Sequence, residues 1–279
     1  MPGCVPPDTR HFNVITPVLN ARAVLFEDSR SLPSTAVRAV SFGLALLLLS
    51  LVCFGAFYLL DYHWSWQPVW EYRRLFWQGW LATVAIACLA LPMACALGLA
   101  LALARRCTFL PLRDASRIWV ELTRGTPLLV QIFFYWYVFG QALSRDSRLI
   151  AGALILAAFS GAYISEVIRS GIESVGRSQL ESARAVGLTT FQTYRYIIFP
   201  QAIRQILPPL AGQFASLIKD SSLLSVLGIA ELTLAAQGVN SFTYAAFESY
   251  IPVAVGYLLL TLPISLWTQS LEQRTRFET

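Results

Sequence analysis

Residues 75–104 read LFWQGWLATVAIACLALPMACALGLALALA, and none of these 30 residues carries a charged side chain. An α-helix needs about 20 residues to cross the hydrocarbon core of a bilayer. A surface helix of a soluble protein needs a polar face, which a run of this kind does not offer. The stretch therefore predicts a transmembrane helix and sets the class of fold in which the rest of the chain is interpreted.

Further uncharged runs recur along the chain. They lie at residues 39–60, 125–144, 149–165 and 249–271, with a shorter run at 205–218 that contains Pro208 and Pro209. The whole sequence of 279 residues is 56% hydrophobic and only 13% charged. Soluble domains carry about 25% charged residues. The sequence predicts an all-α polytopic membrane protein with six spans, the first of them an extra N-terminal helix.

The arginines predict how these spans are oriented. Sixteen of the twenty arginines fall before the first span, between the second and third, between the fourth and fifth, or after the last. Positive charge accumulates on the cytoplasmic side of membrane proteins. Both termini are therefore expected in the cytoplasm. The net charge of +5 reflects this topology, so we expect membrane lipid and no nucleic acid as a partner.

Four regions follow from the same patterns. Residues 1–36 are expected to form a cytoplasmic tail, residues 37–62 the extra transmembrane helix, residues 71–272 the main membrane domain and residues 273–279 a short cytoplasmic tail. No phosphate-binding loop is present, because Lys219, the one lysine, precedes Asp220 and follows no glycine-rich turn. No metal or catalytic motif is present either. We expect a protein that is not an enzyme and uses no cofactor.

The most specified cytoplasmic stretch is residues 178–200, called the coupling segment below. Ser178 with Glu181, and Thr189 with Gln192, have the spacing of capping boxes that start helices. Gly187 is placed to end the first helix in a left-handed conformation, and Pro200 is expected to limit the second. One interpretation is a simple connector between spans. The other, favoured by two starts and a stop within a loop of about thirty residues, which is more than a connector needs, is a docking element for a cytoplasmic partner.

Several polar residues are candidates for a translocation path. Lys219, Asp220 and Ser221 follow a helix expected to be broken by Pro208 and Pro209. Charges at membrane depth usually face a cavity or each other, so a lining role and a structural ion pair both stay open.

Two further candidates have competing structural interpretations. Glu166 and Arg169 share a helix face, which favours an ion pair over a ligand-binding role. Thr126 precedes Pro127, which favours a simple kink over substrate contact.

At these residues the sequence resembles the permeases of ABC importers. Glu181, Ala183, Gly187 and the Ile197–Pro200 run are similar to their Glu-Ala-Ala loop, with Ser182 and Phe199 as departures from it. Residues 121–131 (ELTRGTPLLVQ), 161–175 (GAYISEVIRSGIESV) and 216–228 (SLIKDSSLLSVLG) narrow the resemblance to the importers of polar amino acids, the histidine, glutamine, glutamate and arginine branch.

The resemblance implies a fold, a function and partners. The fold would be the MetI-like core of five helices over about residues 71–272, with the extra N-terminal helix outside it. The chain would pair with a second permease, identical or paralogous, above an ABC ATPase dimer, and an extracytoplasmic binding protein would deliver the amino acid. Glu181, Ala183, Gly187 and Pro200 would belong to the ATPase contact. The rival interpretation is an ion-coupled secondary transporter of small polar solutes, which would not need a coupling loop.

Overall fold

The computed structural model describes residues 35–58, 62–139 and 148–275, which form helices and short connections. The chain divides into two compact units, Met1–His63 and Trp64–Thr279. The predicted tail at residues 1–36 lies almost entirely outside the described residues, as do residues 276–279 of the predicted C-terminal tail.

The first unit contributes one described helix, α1 (Thr35–Tyr58). Its stretch Ala36–Gly55 is long and apolar enough to cross a membrane, and none of it is buried within the protein. A helix that is apolar on every side and unburied is suited to a lipid environment. Helix α1 coincides with most of the predicted extra transmembrane helix at residues 37–62, of which residues 59–61 lie outside the described residues.

The second unit is built from helices α2 to α11. In chain order these are α2 (Gln67–Glu71), α3 (Arg73–Ala104), α4 (Leu110–Gly125), α5 (Leu128–Phe139), α6 (Arg148–Glu173), α7 (Arg177–Ala185), α8 (Thr190–Thr193), α9 (Phe199–Asp220), α10 (Leu232–Thr243) and α11 (Ala246–Thr275). A π-helical turn, Tyr194–Ile198, joins α8 to α9, and a 3₁₀ helix, Ser221–Leu227, extends α9. No β-strand occurs in any of the described ranges.

Helices α3 and α6 form the centre of this unit. A methyl group placed at Gly98 of α3 would lie 2.6 Å from the Ile164 side chain of α6, so only glycine allows this approach. Close contact through small residues is the usual way in which helices associate within a membrane. The core around this contact includes Ile86, Leu156 and Leu217, all fully buried.

The spans agree in part with the sequence prediction. In the described ranges, α1, α3, α6 and α11 are each long and apolar enough to cross a membrane, and a bent helix pair gives a fifth candidate. Helix α5 covers 12 residues of the predicted third span, 125–144, and the last five residues of that span lie outside the described residues. Helix α6 continues to Glu173, beyond the uncharged run that ends at residue 165, so that Glu166 and Arg169 lie on one helix as the sequence predicted.

Three proline expectations were wrong. Pro208 and Pro209 do not break the helix, because α9 runs without interruption from Phe199 to Asp220. Pro200 does not limit a helix either. It lies in the first turn of α9, where a proline lacks only an N–H that would have no helical partner, and the preceding π turn leads the chain into that position. The break in this region comes later, at Gly228–Glu231, where the axis bends by 46°.

Candidate functional site

The coupling segment begins with helix α7. Its N-cap is Gly176, and no side chain caps it. The capping box expected from Ser178 and Glu181 was therefore wrong, because Ser178 already lies inside the first helical turn. Glu181 is exposed on this helix, whereas Ala183 is buried against the body of the protein.

Gly187 ends this helix as the sequence predicted. Its φ is +79°, in the left-handed region that glycine adopts without strain. The Gly187 N–H donates to the Arg184 carbonyl and the Leu188 N–H to the Ala183 carbonyl, both at 3.0 Å. This pair of bonds is a Schellman motif, which satisfies the last carbonyls of the helix. No atom lies within 4 Å of a methyl group placed at Gly187, so the requirement for glycine is one of backbone conformation and not of space.

The second capping box of the coupling segment is confirmed. The Thr189 N–H donates to Gln192 Oε1 at 2.9 Å, and the Gln192 N–H donates to Thr189 Oγ1 at 3.3 Å. Together with the Gly187 corner this fixes the direction in which the chain leaves α7. The corner projects apolar side chains into solvent, since Val186 is 79% exposed and Phe191 is 77% exposed. Large apolar side chains exposed at one corner of the backbone are typical of a surface that binds another protein.

The coupling segment is joined firmly to the membrane helices. Val175, Ile198 and Ala202 form a small buried cluster at its base. The Arg106 guanidinium, just beyond α3, donates to the Tyr194 hydroxyl at 2.9 Å. A cavity of about 630 Å³ lies between the coupling segment and the ends of α3 and α6. These contacts connect the coupling segment to the start of α9 and to the end of α3.

Glu166 lies in a cluster of arginines. It accepts hydrogen bonds from Arg105, which follows α3, and from Arg169, whose Nη2 lies 2.8 Å away, and Arg124 of α4 lies at 3.6 Å. Arg169 also pairs with Glu173. The predicted ion pair of Glu166 with Arg169 is confirmed, and it is part of a network that joins α3, α4 and α6.

Thr126 lies at a break between helices, as its position before Pro127 predicted. Its backbone is extended, with φ −120° and ψ 146°, just after α4 ends at Gly125. Its hydroxyl donates to the Leu122 carbonyl at 2.8 Å and accepts from Gln131 Nε2 at 2.7 Å. The Thr126 hydroxyl is therefore engaged within the chain, in a kink between α4 and α5.

Lys219 and Asp220 lie at the end of α9, and Ser221 begins the 3₁₀ helix. Lys219 is exposed and Asp220 is half-buried, whereas Ser221 is fully buried and donates to the Ile218 carbonyl at 2.7 Å. Neighbouring helix positions point about 100° apart and do not face each other. Within the part of the chain that the structure describes, Lys219 and Asp220 form no ion pair with one another.

Sequence reasoning missed two buried carboxylates, Glu231 and Glu248, which are both 0% exposed. Glu231 caps α10 by accepting from the Thr233 and Leu234 N–H groups, each at 2.8 Å. Glu248 lies in the first turn of α11 and accepts from the Ser65 N–H at 2.6 Å. The signal was an acidic residue at the start of an apolar stretch, where the helix dipole favours negative charge.

The sequence of this chain is similar to those of known membrane transport proteins. Residues 94–277 match the family described as binding-protein-dependent transport system inner membrane component. The chain is 38% identical to the "Probable glutamine ABC transporter permease protein GlnM" of Bacillus subtilis (strain 168), over 72% of this chain and 93% of that protein. It is 34% identical to the glutamine transport system permease protein GlnP of Escherichia coli (strain K12), over 76% of this chain and 98% of that protein.

Solved structures agree with these matches. A chain from the crystal structure of an amino acid ABC transporter with histidines has 36% sequence identity and a TM-score of 0.70, over 76% of this chain and 100% of that chain. An inward-facing MetNI methionine ABC transporter has 16% identity and a TM-score of 0.60, over 76% of this chain, which shows a shared fold. The fold is thus the MetI-like permease fold, and the chain belongs to the binding-protein-dependent transport system inner membrane components, the permease subunits of ABC transporters.

Proposed function

We propose that this permease imports polar amino acids across the bacterial plasma (inner) membrane, with both termini in the cytoplasm. Two relatives are named for glutamine transport, and the solved relative is an amino acid transporter. The distribution of arginines supports the orientation. The remaining subunits would be a second permease, identical or paralogous, an ABC ATPase dimer and an extracytoplasmic binding protein.

The observation that carries this proposal is the geometry of the coupling segment. The left-handed Gly187 and the Thr189–Gln192 capping box hold a corner at which Val186 and Phe191 are exposed. Glu181 is exposed on the preceding helix, ready for a polar contact at the edge of the same surface. In our proposal this corner docks on the ATPase, while Ala183 packs inward and Pro200 leads the chain back into α9.

The translocation path would pass Lys219, Asp220 and Ser221. A zwitterionic amino acid presents one carboxylate and one ammonium group, and Lys219 with Asp220 offers the complementary pair of charges. The side chains of Lys219 and Asp220 point in different directions from α9, and no ion pair joins them among the described contacts. Both observations favour separate roles for the two charges over a structural ion pair. Glu166 and Thr126 remain candidates for the path, but the hydrogen bonds that engage them within the chain favour structural roles.

Reconstitution tests the proposal. Proteoliposomes that contain the permease, its ATPase and its binding protein should accumulate a labelled polar amino acid only when ATP is supplied on the ATPase side. Liposomes with the permease alone should show neither uptake nor ATP hydrolysis. Uptake by the permease alone, driven by an ion gradient, would contradict the proposal and would favour the secondary transporter.

A further inference from the structure

The helix break at Gly228–Glu231 lies next to the proposed path, and its polar groups come from three helices. Glu231 at the break is fully buried, as is Thr83 of α3. Tyr257 of α11 donates its hydroxyl hydrogen to Glu231 Oε2 at 2.7 Å. The Leu232 N–H, at the start of α10, donates to Thr83 Oγ1 at 3.2 Å. Side chains of α3 and α11 thus form hydrogen bonds with Leu232, the first residue of α10, and with Glu231, its N-cap.

The hydrogen bonds of Glu231 occupy both carboxylate oxygens. Oε1 accepts from the Leu234 N–H, and Oε2 accepts from the Thr233 N–H and from the Tyr257 hydroxyl. A carboxylate with such partners makes hydrogen bonds about twice as strong as those between neutral groups. Burying a carboxylate without them would be very costly. The arrangement therefore specifies one geometry for the break.

Further hydrogen bonds connect the break to the residues beside the proposed path. The Tyr257 hydroxyl also lies 3.3 Å from the Thr233 hydroxyl of α10. The 3₁₀ helix Ser221–Leu227 directly follows Lys219 and Asp220. From the other side of the break, Gln237 of α10 donates to the Ser225 hydroxyl of this 3₁₀ helix at 3.4 Å. The two sides of the break are thus tied together across the position where the axis bends by 46°.

We propose that Glu231 and Tyr257 are positioning residues for transport, which hold the break in one geometry so that Lys219 and Asp220 face the translocation path. The effect on transport rests on the proposed function, whereas the hydrogen bonds that hold the break do not depend on it. Glu231 fixes the start of α10, and Tyr257 connects that start to α11. Neither residue needs to contact the transported molecule.

Two variants separate the two parts of this proposal. Tyr257→Phe keeps the aromatic ring and leaves Glu231 to cap α10, but it removes the hydrogen bond that the α11 side chain donates to Glu231. Glu231→Ala removes the cap itself, and Glu231→Gln, which retains one acceptor oxygen, should rescue part of its effect. Tyr250→Phe is a matched control, because this tyrosine lies on the same helix and its side chain is substantially exposed.

The test uses the assembled complex with two readouts. The apparent KM for uptake of a labelled polar amino acid should rise about three- to tenfold in Tyr257→Phe, as expected for one lost hydrogen bond, and more in Glu231→Ala, with the amount of assembled complex unchanged. A purely structural role would lower the amount of complex and leave the KM of the remainder as in the wild type. An unchanged KM in Tyr257→Phe would overturn the positioning role, even if Glu231→Ala does not assemble.

Amide hydrogen exchange provides the readout that does not depend on transport. The Thr233 and Leu234 amides should exchange at least tenfold faster in Glu231→Ala, and in Tyr250→Phe they should exchange as in the wild type. If the wild-type complex transports no amino acid while these two amides still exchange faster in Glu231→Ala, the proposed function is wrong, but Glu231 still holds the helix break in one geometry. If Glu231→Ala assembles and the exchange of the Thr233 and Leu234 amides is unchanged, Glu231 does not hold the break in one geometry, whatever the complex transports.

Discussion

The coupling segment and the helix break use side chains in opposite ways. At the coupling segment, hydrogen bonds within the segment shape the backbone, and the large apolar groups of Val186 and Phe191 are left in solvent. At the break, Glu231 is fully buried and both its carboxylate oxygens accept hydrogen bonds. In the proposed complex a partner would cover the first region. The hydrogen bonds of Glu231 in the second region are all made within one chain, so any effect of Glu231 on transport would act through the chain itself.

The largest expected effect comes from the conformation of Gly187. Gly187→Val should abolish ATP-driven uptake, because a β-branched residue is strained at a φ of +79°. Gly176→Val is the matched control, since Gly176 lies at the other end of α7 with a φ of −57°, and it should transport nearly as the wild type. Uptake is measured in proteoliposomes at equal amounts of inserted protein. Full transport by Gly187→Val would reduce the coupling segment to a connector.

The next effect concerns the charges beside the break. Lys219→Ala and Asp220→Ala should each lower uptake at least tenfold while the complex with the ATPase still forms, because each removes one complementary charge from the path. Uptake and co-purification with the ATPase are the two measurements.

The double variant decides between the two roles of Lys219 and Asp220. If they formed a structural pair, Lys219→Ala would leave the half-buried Asp220 charge without its partner, and assembly would suffer because a buried charge without a partner is destabilising. The double Ala variant would then recover transport. We expect instead a double variant that assembles well and does not transport.

The smallest expected effect is the loss of a helix cap. Thr189→Ala removes the side chain that accepts from the Gln192 N–H, and a lost N-cap costs about 1 kcal/mol. Uptake should fall by less than about threefold, with faster amide exchange confined to residues 190–194. Ser178→Ala is the matched control, because Ser178 lies inside α7 and does not cap it. This variant should lower uptake less than Thr189→Ala does. An equal effect of both changes would contradict the assignment of the cap.

The sequence predicted what depends on local chemistry and missed what depends on distant partners. The long uncharged runs, the left-handed Gly187 and the Thr189–Gln192 box were all readable, because each is specified by residues a few positions apart. The Ser178 box was a false match, since Gly176 starts α7 two residues earlier. Pro208 and Pro209 did not break α9, although Pro208 is buried and Pro209 is exposed on it.

The buried network at the break could not be read in the same way. Glu231 and Tyr257 are 26 positions apart, and Thr83 is 149 positions from Leu232. Nothing in the spacing of these residues indicates that three helices bring them together. An acidic residue before an apolar helix was the visible part of the signal. It indicates a cap but not the partners that bury it.

The central claim is that the corner of the coupling segment contacts a separate ATPase. A photoreactive amino acid in place of Phe191 tests this most directly, with the same group in place of Tyr244 as the control, since Tyr244 is 86% exposed between α10 and α11 and should face the opposite side of the membrane. Illumination of the assembled complex should cross-link position 191, and not position 244, to the ATPase. Cross-linking from position 244 with none from position 191 would contradict both the docking surface and the orientation.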